Sequence, residues 1–244
     1  MIPASFDYEV ADSVEAAVEL LGRDDAKALA GGHSLIPAMK LRVARPSLLV
    51  DLSRLDLSYV RDDGTHVAVG ALTRHKEVRD ARLIREHCAI VGHAAGLIGD
   101  PQVRHRGTIG GSLAHGDPAS DLPAVMLAVG AELVAQGAAG TRAIAADDFF
   151  TGVFETALAP DELLIEVRLP KLAATTGWSY VKLNRRAQDW ATVGVAALLH
   201  RSGDRIDAAR VGLVNMGATA LRARGVEDAL TAGDPVGRAA ARVG

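Results

Sequence analysis

Two glycine-centred segments constrain this chain more than anything else in it: Gly31-Gly32-His33-Ser34, and the stretch from Gly99 to Asp121 that contains Thr108-Ile-Gly-Gly-Ser112. Glycine reaches positive φ at little cost and carries no side chain, so successive N–H groups can turn inward and form a concave seat for an anion. The first segment directly follows Ala26 to Ala30, a short apolar run that reads as a buried strand. The second carries hardly a bulky side chain after Ile109 except Leu113, which is backbone suited to close approach. Ser34, Thr108 and Ser112 place hydroxyls beside the glycines. A hydrogen bond to a charged partner contributes on the order of 1.5 to 3 kcal/mol, so amides from two such loops suffice to hold a diphosphate without a lysine clamp. Neither segment matches the Gly-x-x-x-x-Gly-Lys-Ser/Thr phosphate loop or the Gly-x-Gly-x-x-Gly fingerprint, which removes the main support for kinase, ATPase and ordinary Rossmann readings.

A dinucleotide seat needs a domain to carry it. The 244 residues, 49% hydrophobic and 23% charged, are enough for one large or two small domains. A net charge of -3 with arginines spread along the chain offers no electrostatic surface for nucleic acid or anionic lipid. Apolar stretches such as Val193 to Leu199 fall short of the roughly 20 residues of a membrane helix. Met1 to Gly22 lacks the basic start and apolar middle of a signal segment, so a cytoplasmic protein without a membrane span is expected. Cys88 is the single cysteine; it supplies neither an internal disulfide nor the thiolate set of an iron–sulfur cluster, and any such cluster belongs to another chain. His105 and His115 read as loop residues, and no histidine has a cysteine or acidic partner at ligand spacing, so no metal site is expected. Met39, Met126 and Met216 read as packing residues, and Arg104 and Arg106 as partners of surface carboxylates.

Local signals order the rest. Asp12-Ser-Val-Glu15 reads as a capping box before a helix whose apolar face is Val14, Ala17, Val18 and Leu21, ended by Gly22. Leu48 to Leu52 reads as a strand, and Tyr59 to Arg61 pairs with Val67 to Gly70 across an Asp62-Asp63-Gly64 turn. Leu83, Ile84, His87, Cys88, Val91 and Ala95 give one amphipathic helix. A further helix is predicted from about Asp121, with Pro123 in its first turn, followed by a strand over Glu132 to Ala135. Beyond Pro170 the texture changes: Trp178 to Leu183, Thr192 to His200 and Ala208 to Val214 predict a meander of strands, with a helix from about Ala220. A boundary falls at residues 171–177.

Ala30-Gly-Gly-His-Ser-Leu-Ile-Pro-Ala-Met-Lys-Leu-Arg42 and Thr108-Ile-Gly-Gly-Ser112 resemble the two FAD-binding motifs in the medium subunits of molybdenum hydroxylases, the family of aerobic carbon monoxide dehydrogenase and xanthine dehydrogenase. Lys182-Leu-Asn-Arg-Arg-Ala-Gln-Asp-Trp-Ala-Thr192 resembles that family's C-terminal flavin-domain signature. The resemblance runs from Phe6 to Gly194. It implies an α+β fold: a two-part FAD-binding domain of the vanillyl-alcohol-oxidase (PCMH) type over residues 1–172, with parts at about 1–55 and 56–172, then a small C-terminal domain of antiparallel sheet and helices over 173–244. Family members continue some tens of residues further, so the C-terminal domain is expected to be shortened.

The same resemblance implies roles. Ala30, Gly31, Gly32, His33, Ser34 and Leu35, together with Thr108, Ile109, Gly110, Gly111 and Ser112, would wrap the FAD diphosphate and ribityl chain. Ser120 and Asp121 would add polar contacts, Leu164 an apolar wall and Trp190 an aromatic near the ring face. Lys182 would approach the flavin ring, where a positive charge favours the anionic reduced form. On residue type alone, Asp121 reads as an N-cap, Lys182 as a solvated strand residue, Trp190 as core, and His33 equally as a cap of its own turn or a flavin contact. No catalytic residue beyond the flavin is implied on this chain. The implied complex oxidises its substrate at a molybdenum cofactor on a large subunit, passes electrons through 2Fe-2S clusters on a small subunit, and delivers them from FAD to an external acceptor, commonly as a dimer of heterotrimers. The residues that choose the reducing substrate then lie on the molybdenum subunit. Two rivals are a self-sufficient flavin oxidase or reductase of the same fold and a non-catalytic binding or assembly protein.

Overall fold

The computed structural model describes residues 1–241. Its first part is a parallel sheet. Strand β1 (Asp7–Val10) is followed by helix α1 (Val14–Leu21), β2 (Ala26–Leu29), α2 (Leu35–Lys40) and β3 (Leu48–Asp51), and the sheet order is β1-β3-β2. Helix α1 lays Ala17, Val18, Leu20 and Leu21 on Leu48, Val50 and Leu52. The cap of α1 differs from the predicted box: Ser13 Oγ accepts the Ala16 N–H at 3.1 Å, because the Asp12 carboxylate is drawn outward to Arg54 at 2.9 Å.

The second part is a five-stranded antiparallel sheet with helices on one face. Strands β4 (Val60–Asp63) and β5 (His66–Gly70) form a hairpin, and helices α3 (His75–Asp80), α4 (Arg82–His87), α5 (Ala89–Gly96), α6 (Pro101–Arg106), α7 (Ile109–His115) and α8 (Asp121–Val129) follow. Then come β6 (Glu132–Gly137), β7 (Gly140–Ala145), α9 (Ala146–Phe149), the small pair β8 (Phe150–Gly152) and β9 (Glu155–Thr156), and β10 (Leu163–Pro170). Strand β10 is central, and the order is β4-β5-β10-β6-β7. Its Val167 faces Val69 on one side and Leu133 on the other. The hairpin turn lies one step later than predicted: Asp63 pairs with His66, since the Asp62 carboxylate accepts the Gly64 N–H at 2.9 Å and leaves both aspartates in the strand. The single helix predicted over residues 83–95 is two, broken at Cys88. Leu172, arriving from beyond β10, takes the His87 carbonyl at 2.9 Å, and the break lets each half pack separately.

The stretch predicted as one glycine loop is two short helices. Asp100 caps α6 by accepting the Val103 N–H at 2.9 Å, with Pro101 in the first turn; Thr108 caps α7 by accepting the Gly111 N–H at 3.1 Å. Both signals are local and ordinary. His105 and His115 therefore sit on helices rather than loops.

The third part is a four-stranded meander, β11 (Thr176–Leu183), β12 (Val193–Ser202), β13 (Arg205–Val214) and β14 (Leu221–Arg222), with α10 (Arg224–Thr231) and α11 (Val236–Ala240). The last helix pair begins later than residue 220 because Leu221 and Arg222 first pair with β13. Tyr180, Ala196, Leu198 and Val214 join the core of the second part, alongside Met126, Leu127 and Val129 of α8. Val211 and Leu213 instead pack against Val226 and Leu230 of α10. Met39 and Met126 are buried as expected, whereas Met216 is 51% exposed. The predicted α+β architecture is thus present.

Candidate functional site

The first glycine segment lies where β2 hands over to α2. Gly32 has a φ of +72°, and the His33 Nδ1–H donates to the Gly31 carbonyl at 3.0 Å, so the ring closes its own turn. The amides of Gly32, His33, Ser34 and Leu35 donate to no acceptor among the described residues. Four consecutive donors without an internal acceptor, beside a left-handed glycine and open to solvent at His33 and Ser34, form a nest for an anion. Polar groups left unpaired in this way are satisfied by solvent or by a ligand.

The second segment comes to the same place. A Cβ built on Gly31 would collide with the Arg106 carbonyl oxygen and sit 2.9 Å from the Gly107 Cα, and one on Gly111 would sit 3.6 Å from the Ala30 Cβ. Its amides are another matter. Ile109 N–H donates to Thr73 O at 2.9 Å, Gly110 N–H to Ala71 O at 2.8 Å, and Ser112 N–H to Thr108 O at 3.0 Å. Gly111 N–H is held by its cap. The two motifs therefore converge, but the amides from Ile109 to Ser112 are taken up within the fold, so the second motif leaves only the Thr108 N–H without an acceptor among the described residues, against four in the first. The cause is close packing: a Cβ on Gly110 would stand 2.7 Å from Ala71 O, so glycine here lets α7 press onto the end of β5 and lose its amides to it. What the second motif presents is the exposed backbone of Gly111 and hydroxyls, with Ser112 Oγ and Ser120 Oγ 3.0 Å apart.

From Ser120 the site continues inward. Asp121, the first residue of α8, accepts from the Lys182 Nζ at 2.9 Å and, on its other oxygen, from the Tyr180 hydroxyl. The Lys182 and Asp121 side chains are 5% and 6% exposed. Burial pushes the Asp121 carboxyl above its ordinary value, against the pull of Lys182 and Tyr180. Tyr180 rises too, through burial and the adjacent Asp121 charge. Asp121 is therefore not the N-cap of α8, a position held by Ser120, and Lys182 is not a solvated residue.

Other expected members lie elsewhere. Leu164 is in the core with Ile109 and Leu113, beneath the second motif rather than on an open wall. Trp190 is 66% exposed on the segment after β11, so it is not a core residue. Arg104 donates to the Ile98 and Gly99 carbonyls at 2.9 and 3.3 Å instead of pairing with a carboxylate. No metal-binding group of histidine, cysteine and acid occurs among the described residues. Sequence reasoning passed over Tyr180, although its position two residues before Lys182 on a strand puts both on one face.

It also passed over His75, which lies behind Gly107 and is 4% exposed, with Nδ1 unpartnered. Burial, reinforced by His33 and Arg104, lowers its pKa to about 4. A depressed folded value favours the neutral ring, so this contribution is complete above the unfolded value of 6.5 and is lost as pH falls through about 4. The shift corresponds to about 3 kcal/mol. Denaturant unfolding measured from pH 7 down to pH 4 should show this loss in the native chain and a flatter profile in His75→Phe; equal slopes would show that His75 does not carry it.

Residues 4–172 match the model of the FAD binding domain in molybdopterin dehydrogenase, and residues 178–241 that of the CO dehydrogenase flavoprotein C-terminal domain. The carbon monoxide dehydrogenase medium chain of Hydrogenophaga pseudoflava is 45% identical over 228 residues, 92% of this chain and 79% of the relative. The 6-hydroxypseudooxynicotine dehydrogenase complex subunit alpha of Paenarthrobacter nicotinovorans is 43% identical, over 94% of this chain and 79% of the relative. Among solved structures, a carbon monoxide dehydrogenase from Hydrogenophaga pseudoflava superimposes with a TM-score of 0.96 at 44% identity, covering 100% of this chain and 86% of that one. Quinoline 2-oxidoreductase from Pseudomonas putida 86 superimposes with a TM-score of 0.89 at 33% identity, covering 94% and 81%.

Proposed function

The chain belongs to the family of FAD-binding subunits of molybdopterin dehydrogenases, and from that premise we propose that it takes electrons from an iron–sulfur subunit and passes them to an external acceptor in a carbon monoxide dehydrogenase-like complex. The reading places the complex in the cytoplasm and gives it a small iron–sulfur subunit, a large molybdenum subunit and a dimer-of-heterotrimers assembly. It also divides the chain into an FAD-binding domain over 1–172 and a C-terminal domain over 173–244. No helix among the described residues is long and apolar enough to cross a membrane.

The observation that carries it is the row of unpaired amides from Gly32 to Leu35, closed on one side by the second motif. These donors fit a diphosphate. Bound FAD supplies the capacity to accept and release electrons singly or in pairs. The chain's own contribution is to hold and orient it. The first loop takes the phosphates, Gly111 lets the group lie against backbone, and the Ser112 and Ser120 hydroxyls offer polar contacts to the ribityl chain. Lys182 brings a positive charge to the ring. Ala30, Thr108 and Ile109 shape the seat, whereas Leu164 supports it from below.

A complex purified gently should show the visible absorption of oxidised flavin, and denaturation should release FAD from this subunit. Protein that lacks flavin and takes up none on titration would refute the reading. A free monomer turning over an organic substrate by itself would favour the self-sufficient flavoenzyme.

A further inference from the structure

Three side chains in contact span the seam between α8 and β11. The Tyr180 hydroxyl and the Lys182 Nζ hold opposite oxygens of the Asp121 carboxylate. Tyr180 and Asp121 are each 4% exposed, and Lys182 Nζ has one further partner, the Leu97 carbonyl at 3.3 Å. In a dry setting a hydrogen bond to a charged oxygen is strong and draws charge toward its donor. A carboxylate facing an ammonium alone would cancel most of the ammonium's field. One whose other oxygen is engaged by a neutral hydroxyl cancels less of it. The neighbouring strand is shaped for this arrangement: Gly194 stands opposite Lys182, and a Cβ there would come within 3.0 Å of the Tyr180 Oη.

We infer that Tyr180 is a positioning residue for the flavin: acting through Asp121, it fixes the Lys182 ammonium and keeps its positive charge available to the ring, which raises the flavin's reduction potential. This rests on the reading above that Lys182 faces the ring. A purely structural tie between α8 and β11 would affect melting and leave the potential alone.

The test is the flavin midpoint potential, measured by spectroelectrochemistry in the assembled complex, for the native chain, Lys182→Met, Tyr180→Phe and Gly194→Ala. The last variant keeps the tyrosine but sets a methyl group 3.0 Å from both its hydroxyl and the Val214 Cγ2, which presses on the Tyr180–Asp121 contact, and so serves if Tyr180→Phe does not assemble. The expected result is a lower potential in all three, with the Tyr180→Phe shift at least half that of Lys182→Met and FAD content retained. If Lys182→Met lowers the potential while Tyr180→Phe and Gly194→Ala match the native chain, the inference is overturned and the placement of Lys182 stands. If Lys182→Met itself leaves the potential unchanged, Lys182 does not face the ring and both statements fall.

Discussion

Gly31→Ala is expected to weaken FAD binding by tenfold or more and to yield protein that is purified largely without flavin. The methyl group would be driven into the Arg106 carbonyl oxygen and against the Gly107 Cα at 2.9 Å. These are backbone atoms, so no rotamer change relieves the clash. Overpacking of this kind costs about 1–3 kcal/mol, and relief by separating the two motifs would open the seat. Every 1.4 kcal/mol of that cost charged to the bound state is about tenfold in affinity. Gly64→Ala is a fitting control, since Gly64 has a φ of +74° with nothing within 4 Å of an added Cβ. It should lose some stability from its own left-handed backbone conformation, with no steric clash, while binding FAD normally. Fluorescence titration of FAD into the flavin-free chains separates the two, and native affinity in Gly31→Ala would show that the close approach of the motifs is irrelevant to the site.

Asp121→Ala is expected to be the most destabilising single change at the site, at about 3–5 kcal/mol, because it strands a buried ammonium and leaves a buried phenol without its acceptor. For a chain of this size each kcal/mol lowers Tm by about 2–4 °C, so a drop of roughly 10 °C should be visible by calorimetry. Burial already pushes the Asp121 carboxyl up against the pull of its partners, which means that the ion pair adds little over apolar packing. Asp121→Leu combined with Lys182→Met and Tyr180→Phe, which removes all three polar partners together, should therefore recover most of the loss while still altering the flavin. A single variant melting with the native chain would show that Lys182 finds another partner or reaches solvent.

Much of this was legible before any coordinates. The strand leading into Gly31, the helix beginning at Asp121, the meander after Pro170 and the resemblance of both glycine motifs all hold in the fold. Misreadings cluster where a local signal had a distant competitor. Asp12 gave up its cap to Arg54, and the 83–95 helix broke where Leu172 claimed a carbonyl. Thr108-Ile-Gly-Gly-Ser112 read as a loop because glycine disfavours helix interiors, yet its Thr108 cap and the carbonyls of Ala71 and Thr73 fold it into α7.

The residues alone determined where the backbone can bend and approach, since glycine, proline and capping side chains act within a few positions along the chain. The tertiary structure alone decided which of those amides remain free, because their acceptors at Ala71 and Thr73 lie more than thirty residues away in sequence and are brought near by the sheet. It likewise decided that Asp121 meets Tyr180 and Lys182, 59 and 61 residues further on. Burial makes an unpaired polar group costly, but only the packing of α8 on β11 says which partner Asp121 finds.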